Sequence, residues 1–337
     1  MKLAIPDNHT AALNHAVTGA PLPWQDATLP LMLAPMQGLT NRALRAHFIK
    51  RVKPDVVFTE FMRVNAAAEV KRLSAVDLRE IAATGEGVPL VVQLIGHGAE
   101  ALVSAALAAQ EAGAMHLNLN MGCPYGRMTS GLTGGGMLRR PDDLAQVIPA
   151  LREAVKGTFS IKLRAGYDNQ EQVFSLLPLF ESARVDFLVL HPRTVVQEYT
   201  GDADHSVTAR VVAATRLPVI ANGDIRSAAQ GREVLRETGA AGLMLGRGAI
   251  ADPLLFERLR GRANPVPDIR ERRAELGSYL QAMLVLYGEL FCGDLQVLGK
   301  LKSIVVHMED PELARSLKEL LRAKSLVAFA SALEGLG

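Results

Sequence analysis

The chain has 337 residues, of which 49% are hydrophobic and 21% charged, with 37 Lys and Arg against 35 Asp and Glu. This composition excludes a disordered chain, and the length allows a full core with a second small domain. A formal charge of +2 argues weakly against a nucleic-acid partner, because phosphate-binding proteins usually carry a strong basic excess. Two cysteines and no apolar run long enough for a bilayer indicate a soluble protein of the reducing cytoplasm.

Residues 31–263 alternate between short apolar runs and amphipathic stretches. The preceding residues 1–30 contain Pro6, Pro21 and Pro23 and show little periodicity, which predicts an irregular extension. The apolar runs that follow lack polar alternation, as in parallel strands buried on both faces. They cover residues 31–34, 56–59, 90–95, 115–118, 160–163, 187–190, 219–221 and 243–245, and the intervening stretches include 99–112, 142–155, 171–182 and 227–238. Eight such units predict an α/β fold, a closed (β/α)8 TIM barrel over residues 31–263, with a doubly wound open sheet as the alternative.

The pattern changes at about Asn264. Pro265 and Pro267 indicate a linker, and the rest of the chain has helical periodicity without strands. The helical stretches are 268–291, 295–308, 311–321 and 325–333. They predict a C-terminal all-helical domain over residues 264–337.

One apparent nucleotide motif follows the third strand. Gly96-His97-Gly98-Ala99-Glu100-Ala101 matches the glycine-rich dinucleotide fingerprint at the start of a helix. The next strand ends in Asn118 and Asn120, and no acidic residue is placed to hold a ribose. We therefore interpret the motif as a tight glycine turn.

Polar residues at the ends of the last two strands predict a phosphate site. TIM barrels often bind phosphate in the loops after strands seven and eight, where Asn222-Gly223-Asp224 and Gly246-Arg247-Gly248 lie. The glycines allow close approach of the backbone, and the Arg247 guanidinium can contact two phosphate oxygens. The alternative is two ordinary glycine turns with a surface arginine.

Polar residues near other strand ends suggest a bound ring system. Lys162 and His191 lie near the ends of strands five and six, and Gln93 lies in strand three. Beside a phosphate site, these side chains would satisfy the heteroatoms of a ring. Taken singly, Lys162 could be a Schiff-base amine and His191 a structural histidine.

Cys123 is the candidate catalytic residue. It follows strand four, and five more glycines occur between it and Gly136, which predicts a mobile flap that carries a thiol over the barrel mouth. A thiol with an ordinary pKa of about 8.5 is mostly protonated at neutral pH and can donate a proton. Cys292 is interpreted as an unreactive helix residue, and no metal site is predicted.

The ordered set of motifs resembles the tRNA-dihydrouridine synthase family from about Leu31 onward. The matching segments are LAPMQGLTN, TEFMRV, VVQLIG, LNLNMGCP, GGGMLRRP, IKLRAGYD, HPRT, PVIANGDI and GLMLGRGA. The resemblance implies an FMN-binding barrel with a helical tRNA-binding domain, which reduces a uridine of tRNA with NADPH. It implies hydride transfer from reduced FMN to C6 of uracil and a proton from Cys123 to C5. It also implies a monomer without an obligate protein partner.

The resemblance assigns roles to individual residues. Flavin contacts are implied for Pro35, Met36, Gln37, Gln93, Lys162 and His191, and flavin phosphate contacts for Asn222, Gly223, Asp224, Gly246 and Arg247. The segment Thr59–Val64 is most similar to the subgroup that acts on uridine 16 of the D-loop, and Arg63, Asn120 and Arg164 match its tRNA contacts.

Two departures from the family pattern bear on these assignments. The loop after His191 lacks the aromatic residue expected near its end. From Pro265 onward, nine Lys and Arg face ten Asp and Glu, so tRNA binding would need locally concentrated charge, for which Lys300 and Lys302 are the candidates. The competing functions are a small-molecule FMN oxidoreductase related to dihydroorotate dehydrogenase and a flavin-free tRNA-binding protein.

Overall fold

A computed structural model describes residues 21–24, 28–65, 72–82, 87–129 and 131–336. Most of the predicted irregular extension lies outside these residues. Its described part forms no helix or strand, and Leu22 is buried. The Trp24 ring packs edge-on against Phe187, with 4.9 Å between ring centroids, so this segment covers the amino-terminal end of a strand of the central sheet.

The central sheet is a closed parallel barrel. Its apolar strands pair in order around the barrel, and the circle closes where Leu31 of the first strand pairs with Leu243 of the last. A two-residue strand, β3, adds to the outside of β4. The strands are β1 (Leu31–Leu33), β2 (Val56–Phe58), β3 (Met62–Arg63), β4 (Leu90–Ile95), β5 (His116–Met121), β6 (Thr158–Arg164), β7 (Phe187–His191), β8 (Val219–Asn222) and β9 (Gly242–Leu245). This confirms the predicted TIM barrel over the open sheet.

Helices surround the barrel, and α8 begins and ends at recognisable capping residues. The Ser227 side chain accepts a hydrogen bond from the Gln230 amide at the start of α8, and Gly239 ends that helix with a φ of 65°. The helices are α1 (Arg42–Val52), α2 (Ala75–Ala82), α3 (Ala99–Glu111), α4 (Gly126–Thr129), a 3-10 helix (Gly134–Arg139), α5 (Pro141–Ala154), α6 (Gln172–Ser182), α7 (His205–Ala214), α8 (Ala228–Thr238), α9 (Arg247–Ala251) and α10 (Leu255–Leu259).

Gly96 and Gly98 form the turn between β4 and α3. A Cβ atom at Gly96 would lie 2.8 Å from Val64 Cβ, and Gly98 has a φ of 78°. Close packing and a left-handed backbone therefore account for these glycines without a nucleotide.

The C-terminal region is helical and packs against the barrel. It contains α11 (Ile269–Leu290), α12 (Asp294–Val305), α13 (Ala314–Arg322) and α14 (Leu326–Glu334). Buried residues of these helices, such as Met283 and Leu301, share one hydrophobic core with Leu44 and Phe48 of α1. Within the described ranges, no helix is long and apolar enough to cross a membrane.

The interior of the barrel is filled at its centre and polar near its carboxyl end. Met32, Phe58, Val91, Ile220 and Met244 are fully or almost fully buried in one apolar cluster between the strands. Barrels of eight strands are filled by side chains in this way, so a ligand is confined to the loops at the carboxyl ends.

Candidate active site

A cavity of about 420 Å³ lies at the carboxyl ends of the strands. Its volume is in the range of small-molecule and cofactor sites. The loops after β1, β2, β5, β7, β8 and β9 contribute to its wall, and β6 contributes the strand residues Lys162 and Arg164. Among the residues predicted from the sequence, the cavity is lined by Pro35, Met36, Gln37, Asn120, Cys123, Lys162, Arg164, His191, Asn222, Gly223, Asp224, Gly246 and Arg247.

The loops after β8 and β9 approach each other closely at one end of the cavity. A Cβ atom at Gly248 would lie 2.1 Å from the Ile225 carbonyl oxygen, and Gly223 has a φ of 126°. Only glycine fits these two positions without a backbone shift. The glycines therefore expose main chain to the cavity, as a phosphate cradle requires.

Asp224 organises the arginines at this end. Its carboxylate accepts from Arg193 at 2.5 Å and from Arg247 at 3.0 Å. Burial opposes ionisation, but the hydrogen bonds from Arg193 and from the Ala203 amide lower the pKa of Asp224. With Lys162, Arg164, Arg226 and Arg247 in the cavity wall against this one carboxylate, the cavity favours an anionic ligand.

Lys162 lies half-buried in the wall of the cavity. Its Nζ donates to Asn222 Oδ1 at 2.9 Å, and Asn222 Nδ2 donates to the Met244 carbonyl at 2.9 Å. Burial and the nearby Arg164 lower the pKa of Lys162 to about 7. The Lys162 amine is therefore poised to gain a proton when a ligand brings negative charge to it.

His191 lies beside Lys162 as a neutral imidazole. It is 7% exposed, and burial together with Lys162 lowers its pKa well below the ordinary range. Its Nδ1 accepts from the Arg193 amide at 3.4 Å, so the Nε2 proton is the group that the neutral imidazole offers to a ligand.

The Cys123 thiol is held in the cavity wall by two neighbouring side chains. Asn120 Oδ1 accepts from the amides of Gly122 and Cys123 at 3.0 and 2.9 Å, and Arg164 Nε donates to the Gly122 carbonyl at 3.0 Å. Burial raises the pKa of Cys123, so the thiol is protonated at neutral pH. This is the protonation state that a proton donor needs.

The glycine run after Cys123 is packed tightly, which corrects the predicted mobile flap for this part of the loop. Gly134, Gly135 and Gly136 are buried, and the Gly135 amide donates to the Cys123 carbonyl at 3.0 Å. A Cβ atom at Gly134 would lie 2.9 Å from Cys123 Cβ. The glycines are needed for close contact with the cysteine loop.

Gln93 does not line the cavity, which differs from its predicted place at a ring. It is fully buried, its Nε2 donates to Asn118 Oδ1 at 2.8 Å, and its Oε1 accepts from Asn120 Nδ2 at 2.8 Å. Its position on β4 points it into the barrel interior, where it fixes Asn120 and thereby the cysteine loop.

The predicted tRNA contacts are not gathered in one place. Arg63 is exposed on β3, and its charge acts on Cys123, whereas Asn120 and Arg164 are 7% and 2% exposed within the cavity wall. Lys300 and Lys302 of α12 lie outside the cavity. Lys300 Nζ donates to the Gly38 carbonyl at 2.9 Å and therefore joins the helical region to the β1 loop.

Several cavity residues were not predicted from the sequence. Tyr199, from the loop after β7, lies with its ring 4.5 Å from the Arg247 guanidinium and supplies the aromatic group that was expected nearer the end of that loop. Phe61 and Tyr125 are neighbours of predicted motifs, which was the available signal. Arg226 directly follows the segment PVIANGDI, whereas His307 gave no signal, because only the tertiary structure brings it to the cavity.

The chain matches known proteins over most of its length. The family described as "Dihydrouridine synthase (Dus)" matches residues 32–315. A "Probable tRNA-dihydrouridine synthase" of Rhodobacter capsulatus is 35% identical over 265 residues, which are 77% of this chain and 81% of that one. A "tRNA-dihydrouridine synthase B" of Pseudomonas putida is 32% identical over 266 residues, covering 77% and 78% of the two chains.

Solved structures with a similar fold are more distant in sequence. Morphinone reductase in complex with tetrahydroNAD has a TM-score of 0.52 at 15% identity, over 75% of this chain and 93% of that one. TcOYE with pHBA has a TM-score of 0.52 at 14% identity, over 75% and 95% of the two chains. These likenesses establish the barrel fold. The family match and the curated relatives establish more: the chain belongs to the dihydrouridine synthase family, and it is a tRNA-dihydrouridine synthase, an oxidoreductase.

Proposed function

We propose that this protein reduces uridine 16 of the tRNA D-loop to 5,6-dihydrouridine, with bound FMN as its cofactor and NADPH as the reductant. The observation that carries the proposal is a protonated, buried thiol in the wall of a cationic cavity at the carboxyl end of a TIM barrel. In this proposal the barrel of residues 31–263 carries the chemistry, and the helices of residues 264–337 bind tRNA. The protein acts as a monomer in the cytoplasm.

The donor set of the cavity fits a flavin mononucleotide. Gly223, Gly246 and Arg247, with Asn222 and Asp224 behind them, would hold its phosphate, and the cavity favours an anion there. Pro35, Met36 and Gln37 would lie against the ring, and Lys162 and His191 would contact its heteroatoms. FMN bound in this way supplies hydride transfer from a reduced nicotinamide to C6 of uracil.

Cys123 donates the proton to C5 of uracil. Because burial raises its pKa, the thiol keeps its proton until the base requires it. The thiolate left behind lies near the positive charges of Arg164, Lys162 and Arg63, which offset its cost. Asn120 and Arg164 hold the loop, so the sulfur is oriented before substrate binds.

Lys162 and Arg164 stabilise the negative charge that develops on the uracil carbonyls. Arg164 is 2% exposed and Lys162 is half-buried, and cationic groups act more strongly on a transition state when water is excluded. Gln93 takes part indirectly through its hydrogen bond with Asn120.

The target base has to leave the tRNA stack to reach the cavity, which costs a few kcal/mol. Asn120 and Arg164 would meet the extruded base, and the exposed Arg63 would meet the adjacent backbone. Lys302 would contact a phosphate further away, whereas Lys300 would first have to release the Gly38 carbonyl. The choice of uridine 16 rests on the segment Thr59–Val64, which supplies both Arg63 and the cavity residue Phe61.

The test is to map dihydrouridine in tRNA from cells that lack this gene. We expect dihydrouridine to be lost at position 16 alone, and to return with the wild-type gene and with Cys292→Ala, an exposed cysteine outside the cavity. Cys123→Ala should not restore it. Loss at a different position would reject uridine 16 as the target but would still support the proposed reaction. Unchanged dihydrouridine in the tRNA would reject the proposal as a whole.

A matching test uses the purified protein. We expect flavin absorbance after incubation with FMN, and NADPH-dependent formation of dihydrouridine in unmodified tRNA. Reduction of free pyrimidines without any activity on tRNA would instead support the small-molecule alternative.

A further inference from the structure

One residue of the C-terminal helical region lines the cavity. Among the described residues that form the cavity wall, His307 alone comes from beyond the barrel, immediately after α12. Its amide donates to the Ile304 carbonyl at 3.0 Å, and its neighbours Val305 and Met308 are 1% and 6% exposed. Its backbone position is therefore fixed by the packed end of α12.

His307 faces the cationic end of the cavity. Arg226 and Arg247 line the same end, and α12 packs against α9, the helix that begins at Arg247. Arg226 pairs with Glu309 at 2.5 Å, so a second contact from the same turn reaches the loop after β8. Burial, Arg247 and Arg226 lower the pKa of His307, which shows that the imidazole lies within the field of both guanidinium groups.

We infer that His307 binds the phosphate group of the ligand held in this cavity, so that the helical region completes the phosphate site formed by the barrel. The inference rests on the proposed FMN site and adds a residue to it. A phosphomonoester carries nearly two negative charges at neutral pH and has three acceptor oxygens. Arg247 and the glycine amides alone do not supply enough donors for all of these oxygens. An anion at this end opposes the lowering of the His307 pKa by the two arginines, and the imidazole donates to a phosphate oxygen through its N–H group.

This arrangement couples ligand binding to the docking of the helical region. A ligand that contacts both the barrel and α12 stabilises their association by its own binding free energy. Holding the cofactor and presenting a tRNA-binding surface would then depend on the same contact between the barrel and α12.

The test compares FMN with riboflavin, which has the same ring but no phosphate. Affinities are measured by fluorescence quenching on the full-length flavin-free protein. We expect His307→Gln to weaken FMN binding about 10-fold, the loss typical of one charge-assisted hydrogen bond, and to leave riboflavin binding unchanged. The matched control is His97→Gln, an exposed histidine on the loop between β4 and α3, which should change neither affinity.

Each outcome separates the inference from the proposed function. Equal weakening of FMN and riboflavin by His307→Gln, or no weakening of FMN, would overturn the inference while FMN binding by the wild type still supports the proposed site. Failure of the wild type to bind either flavin would overturn both. Should His307→Gln not fold, FMN should slow amide hydrogen exchange at His307 and Met308 of the wild type, and riboflavin should not; equal protection by the two would overturn the inference.

Discussion

At the level of single residues, a substitution of Cys123 should slow the reduction of uridine without slowing the reduction of the flavin. Cys123→Ala removes the proton donor, and we expect it to slow uridine reduction about 10²–10⁴-fold, the usual contribution of a general acid. Reduction of the bound flavin by NADPH should be unchanged, because that step does not use the thiol. Single-turnover measurements of the two half-reactions test this, with Cys292→Ala as the control. Equal loss in both half-reactions would reject the role of Cys123.

Lys162 should make the ligand-free protein less stable at neutral pH. Burial lowers its pKa from 10.5 to about 7, so between these values the unfolded chain binds a proton that the folded protein does not. The contribution of Lys162 to the free energy of unfolding therefore falls as the pH falls from about 10 to 7, and it stays constant below that. We expect Lys162→Met to raise the free energy of unfolding by roughly 2 kcal/mol at about pH 7 and to lose this gain near pH 10.

Urea unfolding of the ligand-free protein at the two pH values measures this effect. A gain of the same size at both would show that packing, and not charge, is responsible. The same variant should bind FMN more weakly, because a functional site keeps a buried charge at the expense of stability.

Residue types at strand ends predicted most of the cavity wall, but they could not predict which side chains reach it. Gln93 and Lys162 both lie on strands that point polar groups inward, yet Gln93 is hydrogen-bonded to Asn118 and Asn120 beneath the cavity. Tyr199 and His307 reach it because a loop and a helix end fold over the barrel mouth. Such convergence depends on tertiary structure, which local sequence patterns do not contain.

At the level of elements, the apolar runs predicted the positions of all eight barrel strands, but they did not predict where each strand ends. β5 continues to Met121, beyond the predicted end at Asn118, because Asn118 and Asn120 make hydrogen bonds inside the barrel. β3 has two residues, too few for any periodicity. Pro149 and Pro178 lie inside α5 and α6, so the helical pattern outweighed both prolines.

The 3-10 helix after the cysteine loop should tolerate no side chain at Gly135. A Cβ atom there would lie 2.6 Å from Val195 Cγ2 and 2.9 Å from the Cys123 carbonyl. We expect Gly135→Ala to lower the free energy of unfolding by about 2 kcal/mol and to slow uridine reduction, since the cysteine loop has to move. Thermal unfolding and single-turnover rates are the measurements.

Gly126→Ala is the matched control in the same loop, because a Cβ atom at Gly126 meets nothing within 4 Å. It should leave both stability and rate near those of the wild type. A wild-type rate in Gly135→Ala would show that the position of the cysteine loop does not depend on this contact.

At the level of the whole molecule, the barrel and the helical region should unfold together, because they share one hydrophobic core. Leu301 of α12 is fully buried in that core. We expect Leu301→Ala to lower the free energy of unfolding by about 2–5 kcal/mol, and to do so for the barrel as well as for the helices.

Two signals distinguish the regions. Trp24, the single tryptophan, packs on Phe187 of the barrel and reports on it by fluorescence, whereas far-ultraviolet circular dichroism reports on all helices. Both transitions should coincide in wild type and variant. Leu295→Ala on the same helix, at a residue 80% exposed, should leave them in place. Two separate transitions would show that the regions are independent.

The filled interior of the barrel also constrains the order of events in turnover. Apolar side chains occupy the centre, and the amino-terminal end is covered by the segment that holds Leu22 and Trp24. In the proposed reaction, NADPH and tRNA would therefore approach the cavity from the same side. A tRNA bound there would block access of the reductant, so each substrate has to dissociate before the other can bind. High concentrations of either substrate should therefore inhibit the enzyme.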